Sequence, residues 1–245
     1  SGSHNLDGIT TDNATTLQIN QWAQAFRTDS GTTTVGNLEM VQVQNPDNYG
    51  PSFEVDNMSL NIAGNVQIEL GNLNFKNGTL TLQQTVSADN GSIRVMDGEL
   101  ILQDGLSFSN GNLYLDNSVF KPKGSVLLAD SGYGLNNSFI ELQGDTTLSR
   151  NGNVSFNGTD NGTSLDLNGN ALTLDNVTDA YFNGALSIGT GESLSSVSSN
   201  LYLNDNLTIG NGGTLSSGTG YLQIHQALVL NGELQQGSGI LNLIG

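Results

Sequence analysis

Residues 98–117 read GELILQDGLSFSNGNLYLDN. The apolar residues in this stretch come in pairs two positions apart, which is the spacing of a short strand with one buried face. The pairs are Leu100/Leu102, Leu106/Phe108 and Leu113/Leu115. The closing phrase LYLDN returns as LTLDN at 172–176 and as LYLND at 201–205. This recurrence indicates a repeat protein whose unit holds three short strands.

The same apolar positions recur every 20 residues between residues 57 and 142. They fall into three columns that lie 6, 7 and 7 residues apart. The first member of each inward pair gives the columns Leu60, Leu80, Leu100, Phe120, Ile140; Val66, Val86, Leu106, Val126; and Leu73, Ile93, Leu113, Tyr133. Each unit cannot bury its own apolar face, so stacking of successive units must supply the core.

Three strands per turn, with each turn stacked on the last, predict an all-β fold, the right-handed parallel β-helix. A left-handed hexapeptide helix would show a strict period of six, whereas this chain repeats every 20 residues and, after about residue 160, every 21. Residues 57–245 have room for about nine such rungs. At roughly 4.8 Å per rung, the predicted rod is on the order of 43 Å long.

Corner residues follow the same period. Asn and Asp tolerate the left-handed backbone that a tight corner needs, and stacked Asn side chains can hydrogen-bond from one rung to the next. We therefore predict a structural ladder at Asn57, Asn77, Asp97, Asn117, Asn137 and Asn157.

The two ends depart from the repeat. The tetrapeptide SGSH at 1–4 is interpreted as the remnant of an expression tag, and residues 5–56 as an N-terminal cap. Ile19, Trp22, Ala23 and Phe26 share one face at helical spacing, which predicts a capping helix at about 15–28, followed by an irregular first rung. The alternative is a helix that trimerises or docks on another protein.

The C-terminal GILNLIG stops in mid-pattern. We expect the chain to be a fragment of a longer protein, or its end to be covered by a partner. Homo-oligomerisation through the N-terminal helix or the open C-terminal end is a further expectation.

Composition excludes several classes of partner. The chain has 6 Lys and Arg against 23 Asp and Glu, a formal net charge of −17. This charge disfavours binding to a nucleic-acid backbone and to an anionic membrane surface. No apolar run reaches the ~18 residues that a membrane span needs, so we expect no membrane insertion by this segment. Without Cys, a disulfide, a thiolate metal site and a Cys nucleophile are impossible.

Enzyme signatures are nearly absent. His225 is the single His outside the tag remnant, and its place after the inward Ile224 indicates a structural role. Paired carboxylates of the glycosidase type remain possible, but their best candidates read as corner residues. These are Asp97, Asp104, Asp116, Asp145 and Asp166. We therefore expect no catalytic residue and no cofactor, with Ca²⁺ at oxygen-rich corners as the weaker alternative.

Outward positions are the best place for a binding site. The residue between the two inward ones of the third strand is Arg94 and then Tyr114, and in the 21-residue section it is Tyr181, Tyr202 and Gln223. Tyrosine rings beside guanidinium and amide groups on a flat sheet suit the stacking of sugars or the binding of a protein. The alternative is that tyrosine is simply a favourable strand residue. We predict that Tyr114, Tyr181 and Tyr202 share one face.

The rungs GELILQDGLSFSNGNLYLDN (98–117) and GALSIGTGESLSSVSSNLYLNDNLTIGNG (184–212) resemble the β-helical stalks of bacterial surface adhesins. Autotransporter passengers and filamentous-haemagglutinin-type adhesins share this Cys-free, Asn/Gly/Ser/Thr-rich composition, and phage tail fibres and tail spikes share the solenoid. The resemblance covers about 57–245 and contains no diagnostic motif.

The resemblance implies a non-enzymatic, extracellular or cell-surface rod that binds a host or environmental glycan or a surface protein. The alternative it leaves open is a virion tail component, either a receptor-binding fibre or a carbohydrate-active β-helix that cleaves a polysaccharide with paired acids.

Overall fold

A computed structural model describes residues 3–5, 16–19, 24–27, 32–40, 52–129, 131–157 and 164–244. These residues form a parallel β-solenoid of about ten turns, as the repeat predicts. Each complete turn places one short strand on each of three sides, and every strand pairs in parallel with its equivalent in the next turn. The strands are numbered β1 to β31 in chain order.

The first side carries two sheets that do not pair with each other in the described residues. The seven-stranded sheet contains β4 (Thr32–Val35), β7 (Ser59–Ile62), β10 (Thr79–Leu82), β13 (Glu99–Leu102), β16 (Val119–Lys121), β19 (Phe139–Glu141) and β21 (Leu165–Asp166). The three-stranded sheet contains β23 (Leu186–Ile188), β26 (Leu207–Ile209) and β29 (Leu228–Leu230).

The second side is one continuous sheet. Its strands are β2 (Thr16–Ile19), β5 (Asn37–Met40), β8 (Val66–Ile68), β11 (Val86–Ala88), β14 (Leu106–Phe108), β17 (Gly124–Leu128), the first parts of β20 (Thr146–Phe156) and β22 (Ala171–Phe182), β24 (Ser193–Ser196), β27 (Thr214–Ser217) and β30 (Glu233–Gln236). β20 and β22 are long because each passes from the second side to the third without interruption.

The third side begins as a seven-stranded sheet and continues in the second parts of β20 and β22. Its other strands are β1 (Ser3–Asn5), β3 (Gln24–Arg27), β6 (Ser52–Asp56), β9 (Gly71–Lys76), β12 (Gly91–Met96), β15 (Asn112–Asp116), β18 (Gly132–Asn136), β25 (Asn200–Leu203), β28 (Tyr221–Ile224) and β31 (Ile240–Leu243). Nδ2 of Asn157, just after β20, donates to the carbonyl of Leu135 in β18 at 2.8 Å, which joins the two parts.

The inward columns predicted from the sequence form the core. Leu80 pairs with Leu60 on one side and with Leu100 on the other, so that residues 20 positions apart occupy the same slot. All three are essentially inaccessible to solvent. In the later turns Phe156 pairs with Phe182, and their rings stack with centroids 4.5 Å apart. Apolar residues in equivalent slots therefore pack on one another along the axis, and each turn is buried by its neighbours.

The predicted corner ladder is confirmed at five of its six positions by a left-handed backbone. The φ values are 57° at Asn57, 52° at Asn77, 52° at Asp97, 48° at Asn117 and 45° at Asn137. Side chains connect successive corners, since Asn117 Nδ2 donates to Asp97 Oδ1 at 3.3 Å and Asn137 Nδ2 to Asn117 Oδ1 at 2.8 Å. The corner residues thus supply both the bend and a bond between turns.

Asn157, the sixth predicted member, belongs to a different ladder. Its Oδ1 accepts from Asn183 Nδ2 at 2.8 Å, and Asn183 Oδ1 accepts from Asn204 Nδ2 at 2.7 Å. One turn further on, the same slot holds His225, whose backbone N–H donates to the carbonyl of Leu203. His225 therefore lies at a strand end, in agreement with its structural interpretation.

The capping helix predicted at about 15–28 is wrong wherever the structure describes those residues. Residues 16–19 form β2, which pairs Leu17 with Leu38 and Ile19 with Met40, and residues 24–27 form β3, which pairs Phe26 with Val55. Apolar residues at 17, 19 and 26 satisfy a strand period as well as a helical one. Pairing with β5 and β6 decides between the two, because it saturates the strand edges of these turns. The other residues of the predicted helix lie outside the described residues. Within the expected irregular first rung, residues 32–35, 37–40 and 52–56 form the strands β4, β5 and β6.

The turn in which the repeat lengthens is irregular. Ile140 pairs with Leu165 and Ser149 with Asp175, so the partners are 25 and 26 residues apart instead of 20. Two register shifts interrupt the ladder between β20 and β22, around Gly152. Residues 158–163, where a projecting loop is expected, lie outside the described residues.

Tyr133 brings a polar hydroxyl group into the third inward column, which is otherwise apolar in the preceding turns. Its hydroxyl oxygen is buried and has no hydrogen-bond partner, while the guanidinium of Arg150 lies 5.6 Å from the ring centroid. Arg150 also donates to the carbonyls of Ser131 and Asn153. Burial strongly raises the pKa of the Tyr133 phenol, and the positive charge of Arg150 offsets only part of that effect. The phenol is thus held neutral in the folded chain.

The corner ladder predicts an asymmetry between two substitutions at Asn117. Alanine is strained at a φ of 48° and loses the amide bonds, whereas glycine loses the bonds but accepts the backbone. We expect Asn117→Ala to lower the free energy of unfolding by about 1 kcal/mol more than Asn117→Gly. Urea denaturation followed by circular dichroism measures the difference. Equal losses in the two variants would contradict a backbone origin.

Tyr133→Phe tests the buried hydroxyl. Because the hydroxyl is buried without a partner, we expect the free energy of unfolding at pH 7 to stay the same or rise by up to ~1 kcal/mol. A phenol whose pKa is raised by folding stays protonated when its unfolded counterpart, with a pKa of about 10, has ionised. Stability is therefore present below pH 10 and lost above it. Thermal unfolding between pH 8 and 11 should show a smaller alkaline loss in Tyr133→Phe than in the parent.

A tyrosine face on the third side

The candidate residues in the first half of the solenoid lie in one row. Arg94 of β12 pairs with Tyr114 of β15, and Tyr114 pairs with Gly134 of β18. Arg94 and Tyr114 both point outward, and Tyr114 is 42% exposed. The row is therefore an uninterrupted strip of surface that crosses adjacent turns of the third side.

The candidate residues in the second half lie in an equivalent row. Tyr181 of β22 pairs with Tyr202 of β25, which pairs with Gln223 of β28. The rings of Tyr181 and Tyr202 stack, with centroids 4.7 Å apart and planes 11° apart. Parallel strands repeat every ~4.8 Å, so rings in equivalent slots meet at stacking distance without distortion of the backbone.

Three residues that were not predicted complete this group. Asp179, Asn200 and Tyr221 fall two positions before Tyr181, Tyr202 and Gln223, so strand alternation puts them on the same outward surface. Asn200 Nδ2 donates to Asp179 Oδ1 at 2.8 Å, and Asn200 Oδ1 accepts from the backbone N–H of Tyr221 at 2.9 Å. The sequence signal that could have identified these three residues is their position two residues before the predicted ones. We call the six residues Asp179, Tyr181, Asn200, Tyr202, Tyr221 and Gln223 the tyrosine cluster.

Electrostatics identifies Tyr202 as the centre of the tyrosine cluster. The pKa of its phenol is raised, first by desolvation and then by the negative charge of Asp179 and the neighbouring phenols of Tyr181 and Tyr221. Tyr221, beside it, is 47% exposed. The arrangement offers aromatic rings and several hydrogen-bonding side chains on one surface.

The predicted binding residues form two groups on this side. Tyr114 and Tyr181 are both outward residues of third-side strands, and the strands with Gly134 and Ser155 come between them. Three turns at ~4.8 Å separate the two tyrosines by roughly 14 Å along the axis. A single small ligand does not bridge that distance, whereas a linear polymer does.

A recess of about 840 Å³ lies on the first side, where β21 and β23 fail to pair. Its acidic residues, Asp166 and Glu192, are engaged by corner backbones. Asp166 Oδ1 accepts from the N–H of Asn168 at 2.8 Å, and Glu192 accepts from the N–H of Gly169 at 2.9 Å and of Gly189 at 2.5 Å. Carboxylates that stabilise corners in this way are poorly placed to act as a catalytic pair.

Three of the other four acidic candidates have similar corner partners. Asp97 accepts from Asn117, Asp104 Oδ2 from Thr85 Oγ1 at 3.0 Å, and Asp145 Oδ1 from the N–H of Ala171 at 2.9 Å. Within the part of the chain that the structure describes, no three His, Cys, Asp or Glu side chains converge as a metal site would require. Nor do the described residues include a helix with the length and apolarity needed to cross a membrane.

Comparison of the chain with models of protein families, with curated proteins and with solved structures finds no match. The features of the chain that bear on function are therefore the tyrosine cluster, Arg94 with Tyr114, and the solenoid that presents them.

The stack between Tyr181 and Tyr202 predicts a measurable coupling. A double-mutant cycle with Tyr181→Ala, Tyr202→Ala and the double variant should give a coupling free energy of about 0.5–1.5 kcal/mol in urea unfolding. The same cycle with Tyr181 and Tyr114, which lie three turns apart, serves as the control and should be additive. Additivity in both cycles would show that the ring contact does not stabilise the fold.

Proposed function

We propose that this chain is a non-enzymatic, extracellular β-solenoid that serves as a stiff adhesive rod and binds a glycan on its third side. The observation that carries the proposal is the tyrosine cluster, in which exposed and stacked rings lie beside Asn and Gln side chains on a flat sheet. Ring faces stack on the C–H faces of sugars, and amides bond to their hydroxyls. Such a site needs no cofactor.

The rod character supports this function. A parallel ladder runs without a break along the second side, and the apolar core is continuous from turn to turn, so the body resists bending. Outward side chains are free to vary without disturbing the inward slots. A solenoid of this kind holds a recognition surface at a defined distance from whatever anchors it. The setting that fits such a rod is a cell surface or a virion tail.

The charge of the chain narrows the choice of partner. A net charge of −17 repels nucleic acid and anionic lipid, while neutral sugar hydroxyls are indifferent to it. Aromatic rings and amides also match the C–H faces and hydroxyls of a sugar. We therefore propose a glycan as the partner of the tyrosine cluster, with a surface protein as the outcome that a negative glycan result would favour.

The test is a glycan array probed with the parent chain and with two variants, Tyr202→Ser and Tyr221→Ser. We expect binding by the parent and a loss of about tenfold or more in each variant, since stacked aromatic anchors carry much of such binding. Leu127→Ser is the matched control, because Leu127 is an exposed apolar residue on the second side and its removal should leave binding unchanged.

The same array is analysed for cleaved sugars by mass spectrometry. Intact glycans after prolonged incubation are expected of an adhesive rod. Cleavage would replace the proposal with a polysaccharide-degrading tail spike. The absence of binding in every glycan class, or equal binding by the parent and both tyrosine variants, would remove the tyrosine cluster as the site.

A further inference from the structure

Tyr114 does not stack on a neighbouring ring, as Tyr181 does, but lies across the next strand. A Cβ at Gly134 would meet Tyr114 Cδ1 at 2.9 Å, and a Cβ at Gly132 would meet its hydroxyl at 3.0 Å. The edge of the ring therefore leans over β18, toward these two glycines and away from β12. Neither glycine has a positive φ, so lack of space rather than backbone conformation excludes a side chain: the ring takes that space at Gly134, and at Gly132 the side chain of Asn112 lies closer still.

Tyr114 keeps accessible surface although its edge meets β18. The residue is 42% exposed, so part of its aromatic surface is open to a ligand. Its hydroxyl is 3.5 Å from Asn112 Oδ1, too far for a strong hydrogen bond, so the hydroxyl remains available to a ligand. Asn112 is itself held by Ser92, whose Oγ accepts from Asn112 Nδ2 at 3.1 Å.

Arg94 occupies the equivalent slot one turn earlier. Its side chain is exposed, and the ion pairs found in the described residues both belong to Lys121, with Glu99 at 2.6 Å and Glu141 at 3.5 Å. Asp116, the diagonal neighbour of Arg94, faces outward two residues after Tyr114 without forming an ion pair. An exposed arginine thus occupies the slot next to an exposed tyrosine on a strongly acidic protein.

Arg94 and Tyr114 together suit a ligand that has both a carboxylate and a sugar ring. A guanidinium binds a carboxylate through two parallel N–H···O bonds, and the ring face accepts the C–H face of a pyranose. A uronic acid carries both groups, with the carboxylate attached to the pyranose ring. The overall negative charge of the chain disfavours acidic polymers, so a local cation is what such a ligand needs, and Arg94 supplies it.

We propose that Arg94 and Tyr114 form a binding site for a uronic acid unit of an acidic polysaccharide, distinct from the tyrosine cluster about three turns away. The inference rests on the proposed glycan-binding function and assigns the ligand class of this part of the third side. The uronate ring lies on Tyr114 and its carboxylate faces Arg94, on the side away from Asp116. The polymer runs along the solenoid axis, the direction in which the row extends.

Two polymers, one with free carboxylates and one with methyl esters in their place, test the ligand class. Polygalacturonate and its fully methyl-esterified form are titrated into the full chain by calorimetry, with a chelator present so that Ca²⁺ does not bridge carboxylates. We expect the acid form to bind at least about tenfold more tightly, because a charge-assisted bidentate bond is lost in the ester. Raising the salt concentration should reduce this preference. Equal affinity for the two forms, or no binding of the acid form, would overturn the proposal.

Three variants locate the site. Arg94→Gln should abolish the preference for the acid form, Tyr114→Ala should weaken both forms, and Gly134→Ala should weaken binding by displacing the ring without altering either contact group. Lys123→Gln is the control, since it removes an equal charge from an exposed position outside the third side. Thermal unfolding of each variant verifies that the fold is intact, which is expected because Arg94 and Tyr114 lie on the surface.

The outcomes separate this inference from the proposed function. If Tyr202→Ser removes the binding of neutral glycans while Arg94→Gln leaves polygalacturonate binding unchanged, the proposed function stands and the uronate site is overturned. If Arg94→Gln removes the acid preference while no neutral glycan binds the tyrosine cluster, the uronate site stands and the tyrosine cluster fails as a glycan site. Loss of acid binding in Lys123→Gln as well would reveal only general charge attraction, which also overturns the site.

Discussion

The parallel ladder between successive turns is the interaction on which everything else in this molecule depends. It places residues one turn apart in the same slot, at a separation of 20 or 21 positions in the regular turns, so each inward residue must pack on the inward residues of the adjacent turns. Apolar columns follow from that requirement, and so do the corners, where Asn, Asp and Gly allow the chain to bend without leaving the ladder. A polar residue in an inward slot has no water to bond, as the buried hydroxyl of Tyr133 shows.

The same ladder does not constrain the outward positions, so residues suited to binding a ligand can occupy them. Along one row of the third side the slot holds Arg94, then Tyr114, then Gly134, a change in size and charge that no inward column shows. Because neighbouring slots are ~4.8 Å apart, their occupants interact whether or not they bind a ligand. Two contacts result from that spacing. The rings of Tyr181 and Tyr202 stack on each other, and the Tyr114 ring leans over a glycine, whose slot holds no side chain.

The N-terminal segment shows how periodicity can mislead. Ile19 and Phe26 lie seven residues apart, a separation that fits two helical turns and also fits two strands on different sides of a solenoid. Taken in isolation, residues 15–28 fit the helical period. The structure pairs β2 with β5 and β3 with β6, and a strand that extends an existing parallel sheet gains ladder bonds that an isolated short helix would lack.

The sequence by itself determined the solenoid, the three inward columns and the left-handed corners, because these repeat along the chain and a period is visible without coordinates. It also placed Arg94, Tyr114, Tyr181 and Tyr202 on outward slots, since alternation within a strand is local. Only the tertiary structure showed that Asn157 belongs to a second ladder and that the first-side sheet breaks between β21 and β23. It alone showed the Tyr114 ring leaning toward the glycines of the next turn. Those features depend on the register between turns and on the direction in which a side chain leans, and neither is encoded in the spacing of any single rung.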